Sequence, residues 1–117
     1  MSNREARSSK AEVLQGTLDL MVLRTLETMG AQHGYAIASR LEQMSGGAIR
    51  LNMGTLYPAL VRLEQRGHVR ARWDKSENNR RARFYTITAA GRRQLQAERA
   101  GWERMAGIIH RLLTENP

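Results

Sequence analysis

Asn52-Met53-Gly54-Thr55-Leu56-Tyr57-Pro58-Ala59-Leu60-Val61-Arg62-Leu63-Glu64, followed by Gly67 and then by Val69-Arg70-Ala71-Arg72-Trp73-Asp74, is the stretch on which the fold turns. Leu56, Leu60 and Leu63 recur at helical spacing, and Gly67 supplies a stop. Deep inside a helix Pro58 would lose a backbone hydrogen bond and clash with the carbonyl four residues back. The spacing therefore predicts a helix start near Gly54 or Thr55, with Asn52 to Thr55 as its N-terminus. After Gly67 the period falls to two, Val69, Ala71 and Trp73 alternating with Arg70, Arg72 and Asp74, which is the pattern of a strand.

Downstream, a second strand is expected from Arg81 to Ile87. Lys75-Ser76-Glu77-Asn78-Asn79-Arg80 forms the hairpin loop, in which asparagine tolerates positive φ. Thr88 is a good N-cap for a last helix running to about Leu113, about 40 Å long at 1.5 Å per residue. Upstream, His33-Gly34-Tyr35 opens a short helix with Ile37, Leu41 and Met44 on one face, closed by Ser45-Gly46-Gly47. Before it, Leu14, Leu18, Met21, Val22, Leu26 and Met29 mark a helix from Val13 that ends at Gly30. Leu20 and Leu23 make that helix apolar on a second side, which points to burial against a partner subunit. Residues 1–11 have no periodicity and are expected as a flexible basic tail. The order describes a mostly α protein with a small β-hairpin. A winged helix-turn-helix occupies residues 12–87, and a long C-terminal helix for dimerisation occupies 88–117.

The net charge is +8, and its placement says more than its size. Between Arg50 and Arg93 lie eleven basic residues against Glu64, Asp74 and Glu77, while the remainder of the chain is balanced. Seventeen of the nineteen basic residues are arginine, which suits fork-like contacts to phosphate and base edges. An anionic partner is implied, and double-stranded DNA fits the architecture. The third helix can enter the major groove, offering Asn52, Gly54, Thr55, Tyr57, Pro58 and Arg62. The hairpin is the wing, whose Lys75, Arg80, Arg81 and Arg83 would follow the backbone or the minor groove. Trp73, Phe84 and Tyr85 read as core rather than as stacking platforms for single strands.

The last helix carries Leu95, Trp102, Met105, Ile109 and Leu112 at three-and-four spacing, interrupted by Glu98. With Leu20 and Leu23 this seam predicts a homodimer, whose two wings would span half-sites about 34 Å apart on a palindromic operator.

The 117 residues suffice for one domain that buries roughly two thirds of its unfolded surface. The chain has no cysteine, so disulfides and thiolate metal sites are excluded and a reducing compartment, the cytoplasm, is expected. No apolar run approaches a membrane span, and Met1 to Lys10 is too polar for a signal peptide. His33, His68 and His110 are scattered, which argues against metal sensing. No phosphate loop, HExxH or paired carboxylates support an enzyme, and no cofactor is expected. The competing function is an architectural or protein-interaction winged helix that binds nucleic acid without sequence preference.

Leu14-Gln15-Gly16-Thr17-Leu18-Asp19-Leu20, His33-Gly34-Tyr35, Gly54-Thr55-Leu56-Tyr57-Pro58-Ala59-Leu60, Glu77-Asn78-Asn79-Arg80-Arg81 and Tyr85-Thr86-Ile87-Thr88-Ala89-Ala90-Gly91 together resemble the PadR family of transcriptional regulators, over about residues 13–113. The similarity is to its short branch, with a single C-terminal helix. It implies a homodimer held by the last helix and the first, commonly repressing a nearby gene. Some short members similar to this chain bind flat aromatic compounds between paired terminal helices at a tryptophan matching Trp102, which makes a small aromatic effector at Trp102 an expectation.

Overall fold

Polar caps and glycines set the boundaries of the elements. The computed structural model describes residues 3–115, with side chains from Gly16 onward. Helix α1 (Asn3–Met29) is followed by strand β1 (Gln32–His33), helix α2 (Gly34–Met44), helix α3 (Met53–Gln65), strands β2 (Val69–Lys75) and β3 (Arg81–Ile87), and helix α4 (Ala89–Thr114). At the end of α3, Gly67 adopts φ +77°. The amides of Gly67 and His68 donate to the carbonyls of Glu64 and Leu63 at 3.0 and 2.9 Å, closing the helix before β2 begins.

The joint between wing and α4 is just as tightly specified. The Thr88 hydroxyl accepts from the Gly91 amide at 3.0 Å and donates to the Gly67 carbonyl at 2.7 Å. The Thr88 amide donates to the His68 carbonyl at 3.1 Å. A Cβ on Gly91 would collide with that same His68 carbonyl oxygen, so only glycine lets α4 start this close to β2.

The sheet is antiparallel, in the order β1-β3-β2. Its register pairs Val69 with Ile87, Ala71 with Tyr85, Trp73 with Arg83 and Lys75 with Arg81 on one face. Arg70 with Thr86, Arg72 with Phe84 and Asp74 with Ala82 lie on the other. The first face closes the core. Leu18, Val22, Leu23 and Leu26 of α1 and Ile37 and Leu41 of α2 meet Leu56, Ala59, Leu60 and Leu63 of α3, with Val69, Tyr85, Ile87 and Leu95 completing the cluster. In the hairpin loop Asn79 holds φ +57° and its amide donates to Ser76 at 2.9 Å, a conformation asparagine accepts more readily than most residues.

Several expectations are corrected. α1 spans Asn3–Met29 and so overlaps the stretch expected as a tail, whose side chains lie outside the described residues. α3 begins at Met53, capped by Asn52, which places Pro58 in the second turn rather than the first. The carbonyl it leaves unpaired is that of Gly54, an exposed residue open to water. Met44 is exposed because α2 ends there, beyond the core. β1 adds a third strand: Gln32 and His33 pair with Tyr85 and Phe84, while His33 Nδ1 caps α2 by accepting from the Ala36 amide at 3.3 Å. Trp73 is exposed rather than core, since its strand outruns α3 at that point. Tyr85 is buried. Among the described residues no helix is long and apolar enough to cross a membrane.

Candidate nucleic-acid interface

The exposed side of α3 starts at its cap. Asn52 Oδ1 accepts from the Thr55 amide at 2.9 Å and from the Thr55 hydroxyl at 3.2 Å, leaving the Asn52 carboxamide NH2 directed to solvent chemistry. Gly54, Thr55, Tyr57, Pro58 and Val61 are exposed along the same side, opposite the buried Leu56, Leu60 and Leu63. Tyr57 leans on Tyr85 of the wing. Burial pushes the Tyr85 phenol up to about 12, and the neighbouring Tyr57 adds to the shift.

Two of the expected DNA contacts are occupied within the chain. Arg62 turns inward, its Nη2 donating to Asp19 Oδ1 of α1 at 3.0 Å, and Arg66 reaches the other oxygen at 3.5 Å. Asp19 is a buried carboxylate, and a buried charge persists only when paired. Arg62 is therefore a brace between α1 and α3 rather than a free reader of bases. Arg83 Nη2 donates to Glu64 Oε2 at 2.8 Å, fastening the wing to α3. Trp73 carries the guanidinium groups of Arg81 and Arg83 over its ring at 5.0 and 5.9 Å, so the indole serves as a platform for wing arginines. Lys75, Arg80 and Arg81 remain exposed, and among the described residues none of them pairs with a carboxylate. The candidate residues that remain exposed and unpaired are thus those of the cap and first two turns of α3 together with Lys75, Arg80 and Arg81.

The predicted seam divides as well. Trp102, Met105, Ile109 and Leu112 form an exposed apolar stripe on α4, extended by Ile108 and Leu113, which the sequence reading passed over. Leu23 and Leu95 do not belong to it: both are fully buried in the chain's own core and out of reach of a partner. Leu20 is half-buried and lines a groove of about 450 Å³ between α1 and α4, with Met21, Leu41, Ile49 and Trp102. Glu27 of α1, bonded to Arg24 at 2.6 Å and facing Arg99 of α4 at 3.7 Å, holds the two helices together. No group of three or more potential metal ligands occurs among the described residues.

A helix presented by its N-terminal turns beside a basic β-hairpin is the arrangement of a winged-helix DNA-binding protein. The profile of the Transcriptional regulator PadR-like family matches residues 22–97, and the chain belongs to that family of DNA-binding transcription regulators. It is similar to a padr family transcriptional regulator from Eggerthella lenta (30% identity, TM-score 0.75, covering 97% of this chain and 96% of that one). It is also similar to a transcriptional regulator from Clostridium thermocellum (25% identity, TM-score 0.76, covering 86% and 96%). An uncharacterized 37.1 kDa protein in transposon TN4556 of Streptomyces fradiae is 42% identical over 80 residues, 68% of this chain. The chain spans about a fifth of the length of that relative, 21%.

Proposed function

We propose that the chain works as a homodimer that binds a palindromic operator and represses the adjoining gene. The observation that carries this reading is the pairing of two exposed surfaces of opposite character. The α3 cap and the uncompensated Lys75, Arg80 and Arg81 suit a duplex, while the apolar stripe of α4 suits a second copy. A helix of 26 residues that leaves Trp102, Met105, Ile109, Leu112 and Leu113 exposed calls for quaternary packing to cover them. Thr55 and the Asn52 carboxamide reach base edges, the three wing cations neutralise phosphates, and a dimer on the operator blocks access of the transcription machinery. The groove bordered by Trp102 is where a planar aromatic effector enters, and quenching of Trp102 fluorescence by such compounds tests that part.

The test of the whole is binding to the DNA upstream of the chain's own gene against random DNA of equal length. Neutralising roughly 6 to 10 phosphates weakens binding by about 10³ to 10⁵ between 50 and 200 mM salt. Retention of the upstream duplex under excess random competitor is expected. Equal binding to both sinks the operator in favour of an architectural role. A reporter driven from the same DNA reads the direction of regulation.

A further inference from the structure

The back of the wing and the start of α4 carry a second set of exposed arginines. The core-closing face of the sheet packs toward α3 through Val69, Tyr85 and Ile87, and its outer end carries Lys75 and Arg81. The opposite face carries Arg70 and Arg72 on β2, both exposed, around a shallow cavity of about 450 Å³ that Thr86, Thr88 and Ala89 help to line. Ala89 opens α4, and Arg92 and Arg93, three and four residues further on, share its side of the helix and are exposed. Two arginines of β2 line this cavity, and two more follow Ala89, which also lines it, on the same side of α4. Among the described residues the one ion pair these four make is Arg72 with Asp74, at 3.7 Å. Arg70, Arg92 and Arg93 have no acidic partner among the described residues. Arg92 and Arg93 also sit at the end of α4 where the helix dipole disfavours cations.

Such an assembly repels itself unless a polyanion covers it. Stability does not explain it, and neither does the operator: a duplex seated on α3 and the front of the wing faces away from this surface. We infer that the outer face of the wing, with Arg70, Arg72, Arg92 and Arg93, is a second phosphate-binding surface that takes a separate DNA duplex, so that one protein bridges two segments of DNA. The chemistry favours nucleic acid over an acidic protein. The surface is polar and shallow, offers arginine forks and the exposed Thr86 hydroxyl, both suited to phosphate, and among the described residues shows no large exposed aromatic or aliphatic anchor of the kind a protein interface needs. The inference rests on the reading of α3 and the front of the wing as the operator surface.

The experiment holds the full-length protein on an immobilised upstream duplex at low salt and adds a fluorescent duplex of unrelated sequence. The wild type is expected to capture the second duplex. Four phosphate contacts make that capture fall on the order of 10²-fold between 50 and 200 mM salt. The variant R70Q/R72Q/R92Q/R93Q is expected to lose capture at least about tenfold while holding the first duplex within about threefold of wild type. R70K/R72K/R92K/R93K, which keeps the charge, is expected to restore capture and shows that the surface tolerates substitution. The inference is overturned if the wild type captures nothing, or if the glutamine variant captures as well as the wild type, since the two α3 surfaces of a dimer then do the bridging. It is equally overturned if the glutamine variant loses the first duplex in proportion, because the four arginines then belong to the operator surface. Failure of the wild type to prefer the upstream duplex instead overturns the operator reading. The outer face is then read separately, from the loss of random-duplex binding in solution by the glutamine variant.

Discussion

Arg62 of α3 and Asp19 of α1, 43 residues apart in sequence, meet at 3.0 Å in the interior of the protein. The contact ties the helix offered to DNA to the helix that borders the α4 groove, so any shift of α1 is felt at α3. It also removes from the DNA surface an arginine that its place in α3 alone would assign there.

Replacing Asp19 by alanine leaves Arg62 half-buried without its counter-ion. Because Arg62 retains some contact with water, the cost is about 2 kcal/mol rather than the 3 to 5 of a fully buried pair. A urea midpoint shift measures it. For Arg62→Ala the expectation is weaker DNA binding with an unchanged slope of log K against log salt. A slope lowered by about one would make Arg62 a phosphate contact and the brace secondary.

Asn52 caps α3 and, in the proposed complex, turns its amide to the duplex; two substitutions separate these tasks. Asn52→Ala costs about 1 kcal/mol of stability through the lost acceptor. Asn52→Asp keeps the acceptor and the stability but places a carboxylate against the duplex, and affinity is expected to fall at least about tenfold. Wild-type affinity in the aspartate variant would confine Asn52 to capping.

Ile109→Glu puts a charge in the middle of the α4 stripe. The expected result is a monomer by light scattering at micromolar concentration, with weaker operator binding because two half-sites are no longer engaged by one particle. A wild-type monomer under the same conditions would remove the dimer.

Gly91 and Gly107 lie in the same helix and predict opposite signs. Alanine at Gly91 must displace the His68 carbonyl and costs about 1 to 3 kcal/mol. Alanine at Gly107 meets nothing within 4 Å, lies on the side of α4 away from Met105 and Ile109, and stabilises by about 0.5 to 1 kcal/mol. Thermal melts of the two variants give the signs directly.

The raised Tyr85 phenol makes stability depend on alkali. Its neutral form is favoured in the folded chain, so the contribution is complete below the ordinary value of 10.0 and is lost as pH rises toward about 12. The loss is about 2 kcal/mol across that interval. Ultraviolet titration should show a tyrosine ionising near pH 12 that Tyr85→Phe abolishes.

Much of this was legible beforehand. The stripe Leu56, Leu60 and Leu63, the stop at Gly67, the alternation from Val69 and the cap at Thr88 are local patterns, and local patterns survive folding because each is satisfied within a few residues. β1 was not legible: two residues carry no period, and His33-Gly34-Tyr35 is also a good helix opening. Ile108 and Leu113 fall just beside the three-and-four spacing that singled out their neighbours, although the full width of the apolar arc would have included them.

What the sequence by itself determined is the order of elements, the concentration of positive charge on the wing and its flanks, and the N-terminal turn of α3 as the surface presented. Only the tertiary structure decided which charges are free. Asp19 meets Arg62, Glu64 meets Arg83, and Trp73 gathers Arg81, all through pairings that the packing of α1, α3 and the sheet creates. The same packing took Leu23 and Leu95 into the core while leaving Trp102 and Leu112 outside. Periodicity reveals that a side chain is on an apolar or a basic face, but whether that face meets its own chain, a partner or DNA depends on distances between segments that no local spacing encodes.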